Sequence, residues 1–108
     1  MTVIEKNGIR ILTIETEHLD ALNSEELKKQ LIDNAKDAKK VILNLEKIIF
    51  IDSSGLGVIL TVFRHIKEQN GKMVLCSVKD SVKILFKLVR LSHMIQIFDS
   101  QSEALEQI

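Results

Sequence analysis

Short apolar runs of strand character alternate along this chain with stretches in which apolar residues recur every third or fourth position. Val3-Ile4-Glu5-Lys6 and Ile9-Arg10-Ile11-Leu12-Thr13-Ile14 are rich in β-formers and flank Asn7-Gly8. Both residues of that dipeptide tolerate positive φ, so it predicts a tight hairpin and an antiparallel start to a sheet. Leu27, Leu31, Ala35 and Ala38 then share one helical face, with Lys28, Lys29 and Asp33 off it as an ordinary solvated face, which predicts a helix from about Ser24 to Ala38. Asn23 with Glu26 has the form of a capping box, and Leu22 with Leu27 the spacing of a hydrophobic staple.

Val41-Ile42-Leu43-Asn44-Leu45 and Ile48-Ile49-Phe50-Ile51 are nearly continuous apolar runs, as expected of chain buried in a sheet covered by helices, the first being the central strand. Ile59, Leu60, Val62, Phe63 and Ile66 predict an unusually apolar, largely buried helix after Gly57, stopped by Asn70-Gly71. Met73-Val74-Leu75-Cys76 reads as a further strand. Asp80 is placed to cap a third helix carrying Val82, Leu85, Phe86 and Val89. Ile95-Gln96-Ile97-Phe98 gives a last strand, and Ser100 with Glu103 a second capping box opening a terminal helix with Ala104, Leu105 and Ile108. Strands alternating with helices after a hairpin predict an α/β domain with a mixed sheet of four to five strands, packed with about four helices and linked by right-handed crossovers.

The junction Phe50-Ile51-Asp52-Ser53-Ser54-Gly55-Leu56-Gly57 carries the most chemistry, because an apolar strand there ends abruptly in small polar residues that open a helix. On pattern alone, Asp-Ser-Ser-Gly is read as a helix cap, with Ser54 at the N-cap position and Asp52 holding the loop through backbone N–H groups or orienting a neighbouring hydroxyl. The alternative is a seat for an anion. Helix N-termini present unpaired N–H groups and partial positive charge, so a phosphate on Ser53 is accommodated without unfolding, and Gly55 and Gly57 leave room for a partner surface.

Composition narrows the partners. The 108 residues suit a single domain, 1–108, of a size that buries roughly two-thirds of its unfolded surface. Lys+Arg and Asp+Glu number 15 each, so the electrostatic footprint of a nucleic-acid or anionic-membrane binder is absent and protein contact is the better default. One cysteine, Cys76, excludes a disulfide framework or a cysteine-based metal site and fits a reducing, cytoplasmic setting, with the thiol in the core. No signal-peptide pattern is present, and no apolar stretch approaches the roughly 20 residues of a membrane span.

An enzymatic reading fails on its parts. Gly55-Leu56-Gly57-Val58-Ile59-Leu60 lacks the third glycine of a dinucleotide loop, no phosphate-gripping Gly-Lys-Ser/Thr loop occurs, and Ser53 lacks a nucleophile elbow. His65 falls three turns along the helix, too far to deprotonate Ser53. His18, His65 and His93 have no metal-ligand spacing. No cofactor or metal is expected.

The chain resembles anti-sigma factor antagonists of the STAS domain family, bacterial partner-switching regulators of transcription. The likeness spans nearly the whole length and is most specific in Val41-Ile42-Leu43-Asn44-Leu45 and Phe50-Ile51-Asp52-Ser53-Ser54-Gly55-Leu56-Gly57-Val58. Leu19-Asp20 before the first helix, and Leu85-Phe86 leading into Ile95-Gln96-Ile97-Phe98, add to it. The resemblance implies a STAS-like fold and a phosphoprotein that is substrate and binder rather than catalyst. Its unphosphorylated form would bind an anti-sigma factor that is itself a serine kinase, freeing a sigma factor; phosphorylation at Ser53 would dissolve that complex and a metal-dependent serine phosphatase would restore it. It also implies a partner surface of Asp20, Asp52, Ser53, Ser54, Gly55, Leu56 and Gly57. Family members usually have glycine three residues before the aspartate at position 20, where this chain has Glu17. The competing expectation is a STAS adaptor module of a stress-signalling or transporter-associated complex, with no sigma factor involved.

Overall fold

The computed structural model describes Met1–Ile108. Its elements follow in the order β1 (Thr2–Lys6), β2 (Ile9–Thr13), β3 (His18–Leu19), α1 (Ser24–Ala35), β4 (Lys40–Asn44), β5 (Phe50–Ile51), α2 (Ser53–Glu68), β6 (Lys72–Cys76), α3 (Asp80–Leu88), a 3-10 turn (Leu91–His93), β7 (Ile97–Phe98) and α4 (Gln101–Gln107). Five strands form a mixed sheet in the order β1-β2-β4-β6-β7, and β3 with β5 forms a separate two-stranded ladder. Only β1 is antiparallel to its neighbour. The hairpin turn has Asn7 at φ 54° and Gly8 at φ 79°, the double positive-φ geometry that matches the right-handed twist of its strands.

The continuous apolar runs follow from a sheet covered on both faces. Leu12, Leu43 and Leu75 stand in register across β2, β4 and β6 in the large cluster beneath α1 and α2. Their neighbours Ile11, Ile42 and Val74 point the other way, into a smaller cluster closed by Ala104 of α4 and by Phe98. β4 is the central strand, as expected, and each of its fully buried Val, Ile and Leu side chains contributes about 1.5–3 kcal/mol through removal from water.

The helices depart from expectation mainly at their ends. α1 stops at Ala35 rather than Ala38, because Asp37 adopts φ 64°. Its last carbonyls are taken from outside: Arg10 donates to Asn34 and Lys36 (2.9 and 2.8 Å), and Gln69 to Ala35 and Ala38 (2.9 and 3.0 Å). Neither the capping box nor the staple at its start forms. Asn23 lies at φ −120°, ψ 0° with no side-chain cap, so the chain enters α1 through a tight turn that leaves Leu22 96% exposed. α2 stops as expected, with Asn70 at φ 63° and the Gly71 N–H donating to the Ile66 carbonyl (2.8 Å). Asp80 is the first residue of α3 rather than its cap, and Val89 beyond it is exposed while Val82 and Phe86 are buried. At α4 the Ser100 hydroxyl accepts from the Glu103 N–H (3.1 Å), the cap that the sequence implies.

The expected strand Ile48–Ile51 is buried only at Ile48 and Ile51. Ile49 and Phe50 are about half exposed because β5 pairs solely with the two residues of β3, outside the main sheet. The Glu17 carbonyl starts that ladder, accepting from the N–H groups of Ile49 (2.7 Å) and Phe50 (3.3 Å).

Candidate functional site at the start of α2

The short β3–β5 ladder sets the position of the Asp52-Ser53-Ser54-Gly55 segment. Ile51 is buried beside Leu19, the Asp52 N–H donates to the Leu19 carbonyl (3.3 Å), and Asp52 is extended (φ −106°, ψ −172°) before α2 begins at Ser53. That backbone makes Asp52, and not Ser54, the N-cap: its Oδ1 accepts from the Gly55 N–H at 3.0 Å. The other carboxylate oxygen, Oδ2, accepts from the Ala21 N–H at 3.1 Å, tying this turn to the one preceding α1.

The turn before α1 is bound up in the same way. Asp20 Oδ1 accepts from the Leu22 N–H (3.0 Å), and its carbonyl accepts from Ser24 (2.8 Å). Asn23 Oδ1 accepts from the Asp20 N–H (3.0 Å) while Nδ2 donates to the His18 carbonyl (2.7 Å). The predicted site residues Asp20 and Asp52 are therefore brought together, each with its carboxylate holding backbone. At Glu17, the position at which the family resemblance leads to an expectation of glycine, φ is not in the left-handed region, so the turn needs no glycine here, and the side chain is exposed.

With Asp52 capping the helix, both serines fall inside its first turn. Ser53 is exposed at the first helical position and Ser54 is half-buried at the second. Their N–H groups lie ahead of the intrahelical ladder, at the positively polarised end of the dipole. An oxyanion on Ser53 meets that partial charge, and the Asp52 carboxylate next to it is already held by the Gly55 and Ala21 N–H groups.

The two glycines differ. A Cβ at Gly55 would lie 2.2 Å from the Leu19 carbonyl oxygen and 2.9 Å from Ile51 Cγ2, so this glycine lets α2 seat against β3 and β5; it does not make room for a partner. Gly57 has nothing within 4 Å of its Cβ position and is exposed, leaving the outer face of the helix bare next to Ser53 and Ser54. Leu56 is half-buried against the core.

Sequence reasoning missed three apolar residues around this turn. Leu22 projects almost fully into solvent, while Phe50 and Ile49 are 49% and 45% exposed; Phe50 packs obliquely on His18, ring centroids 5.7 Å apart. Leu22 follows Ala21 and Phe50 precedes Asp52 by two residues, so each turn joined by the Ala21–Asp52 link carries an exposed apolar side chain. The signal available for Phe50 was its place in a run interrupted by Glu46-Lys47 and followed at once by Asp52, too short for a second fully covered strand.

No helix is long and apolar enough to cross a membrane. The family model described as the STAS domain matches residues 1–104. The chain is 30% identical over 103 residues to the anti-sigma F factor antagonist of Paenibacillus polymyxa, covering 94% of this chain and 87% of that protein. Its fold superposes on the crystal structure of a candidate anti-sigma factor antagonist from Thermotoga maritima with a TM-score of 0.91 and 29% identity, over 99% of this chain and 92% of the other. It shares the fold alone, at 17% identity and a TM-score of 0.81, with a part of the murine anion transporter Slc26a9 that makes up 18% of that structure's chain. Sequence and fold thus converge: the chain belongs to the STAS domain family, among its anti-sigma factor antagonists.

Proposed function

We propose that this chain is a phosphorylation-switched binding module of the bacterial cytoplasm, whose unmodified form holds an anti-sigma factor serine kinase and so releases a sigma factor. The observation that carries this reading is the placement of Ser53, exposed at the first position of α2 with Asp52 already occupied as the cap. Its hydroxyl is reachable by a kinase, and the helix end tolerates the product.

The partner surface consists of Asp20, Asp52, Ser53, Ser54, Leu56 and Gly57, bordered by Leu22 and Phe50, with Gly55 supporting it from below. Phosphorylation of Ser53 brings about −1.5 to −2 charges into that interface. Repulsion and desolvation that together cost about 3–4 kcal/mol lower affinity roughly 10²–10³-fold, enough to exchange partners. A serine phosphatase resets the module. The domain is substrate and ligand in this cycle and performs no chemistry.

The test uses wild-type, Ser53→Ala and Ser53→Asp chains as baits in lysate of the source cell, with captured proteins and phosphosites identified by mass spectrometry. Wild-type and Ser53→Ala are expected to retain a serine kinase that Ser53→Asp loses, with phosphate mapped to Ser53. Capture of one and the same non-kinase complex by all three baits, with Ser53 never modified, overturns the proposal in favour of an adaptor.

A further inference from the structure

α1 and α2 lie side by side, and close to the start of α2 they leave a groove of about 230 Å³ lined by Ser24, Glu25 and Lys28 of α1 and by Ser54, Gly57 and Thr61 of α2. Ser24 is unusual in it. The residue is only 8% exposed, and of the two buried polar side chains Asn44 is hydrogen-bonded to Gln101 and to the Glu46 N–H, whereas the Ser24 hydroxyl makes no hydrogen bond within the chain. No buried side-chain oxygen is sealed from solvent without a partner, so the Ser24 oxygen opens into the groove it lines. Half-buried Ser54 lines the same space, and its N–H, like that of Ser53, has no partner within the helix.

Lys28 supplies the charge. Its Nζ is 3.3 Å from Glu25 Oε2, a pair one helical turn apart in which the Glu25 side chain is 80% exposed and the Lys28 side chain 33%. Such exposed pairs are weak and exchange readily with solvent or a better acceptor. An ammonium has three donors, so Lys28 keeps donors to spare while it touches Glu25. The Glu25 carboxylate opposes an anion here, and its exposure lets it swing away.

We propose that this groove binds a phosphate dianion, with Lys28 as its cation and the Ser24 and Ser54 hydroxyls as its neutral donors. The dianion has two sources: free inorganic phosphate, or a phosphoryl group esterified to Ser53, one residue before the groove wall. The second source rests on the function proposed above; the first does not.

The experiment records amide spectra of the isotopically labelled full chain during titration with sodium phosphate, against sodium chloride at matched ionic strength. Saturable shifts are expected at Ser24, Lys28, Ser54 and Thr61. Lys28→Gln weakens binding roughly ten- to a hundredfold, the loss expected for one charge-assisted hydrogen bond, while Glu25→Gln strengthens it, and the remaining spectrum reports an intact fold in both. Absence of saturable shifts overturns the proposal. So does an affinity that neither variant changes, because a bare helix end would bind without them. A chain phosphorylated at Ser53 separates the sources: if its phosphoryl group fills the groove, inorganic phosphate no longer binds and the second ionisation of the phosphoserine rises in Lys28→Gln. If it still takes up inorganic phosphate with unaltered affinity, the ligand is the free ion. These readings use no partner protein, so they stand or fall apart from the kinase-capture result.

Discussion

The carboxylate of Asp52 bridges to the backbone of Ala21, 31 residues away in the chain, with Oδ2 accepting its N–H at 3.1 Å while Oδ1 caps α2 through Gly55 at 3.0 Å. One side chain therefore fixes both turns of the site, and its removal is felt in two places. Asp52→Ala is expected to lower stability by about 2 kcal/mol, a cap loss plus a second hydrogen bond. Asp52→Asn, which still caps, loses about half as much. Urea denaturation of the two variants checks the order; equal stability of Asp52→Ala and wild type contradicts the bridging role.

Gly55 and Gly57 form an internal control within one helix. Gly55→Ala places a methyl group 2.2 Å from the Leu19 carbonyl oxygen, an overpacking that costs about 1–3 kcal/mol or more. Gly57→Ala meets open space and gains about 0.5–1 kcal/mol from helix propensity alone. Thermal melts of the pair are expected to move in opposite directions.

Ser53 bears no internal load, so Ser53→Asp leaves the thermal midpoint near that of wild type. A small rise is expected, because a negative charge in the first turn of a helix is worth about 0.3–1 kcal/mol at low ionic strength. A large loss of stability in Ser53→Asp removes the basis for reading weakened partner capture as an electrostatic effect.

How far these features were legible in the sequence depends on which interactions are local. The hairpin at Asn7-Gly8, the central strand at Val41–Leu45, the stop of α2 at Asn70-Gly71 and the cap at Ser100 all follow from residues adjacent in the chain, and all are found. The early end of α1 was not legible, because its terminal carbonyls are claimed by Arg10 and Gln69 from other elements. Asn23 was misread for the same kind of reason: its side chain is spent on Asp20 and His18 rather than on the helix. At the site the segment itself was legible. The division of labour within it was not, since the helix starts two residues earlier than Ser54 as N-cap would require, and Gly55 answers to Leu19, a contact no local pattern encodes.

Leu22 offers a direct probe of the apolar border. At 96% exposure it contributes nothing to the core, so Leu22→Ser leaves stability within about 0.5 kcal/mol of wild type. If the border is part of the partner surface, the same substitution weakens kinase capture while Ser53 stays accessible. Undiminished capture by Leu22→Ser places the interface elsewhere.

Cys76 is fully buried on β6, and burial pushes its thiol above its ordinary value near 9.0, opposed in part by a hydrogen bond from Ser77 and helped least by the Glu46 carboxylate. The folded state thus favours the neutral thiol. Its contribution to stability is complete below the unfolded-state value and is lost as pH rises through that value toward the folded one, so it is untouched near neutrality. Native protein at pH 7 is expected to react slowly with a disulfide reagent and rapidly once unfolded; fast labelling of the native chain contradicts the buried position.

The close seating of Gly55 on the Leu19 carbonyl has a consequence for speed. A helix start wedged against a strand has no slack to retract, so a group added at Ser53 alters the local field and leaves the scaffold's shape as it was. Under the proposed switch, a partner sensing that field need not wait for any slow rearrangement of this domain, and the tempo of exchange would be set by how quickly the old complex comes apart.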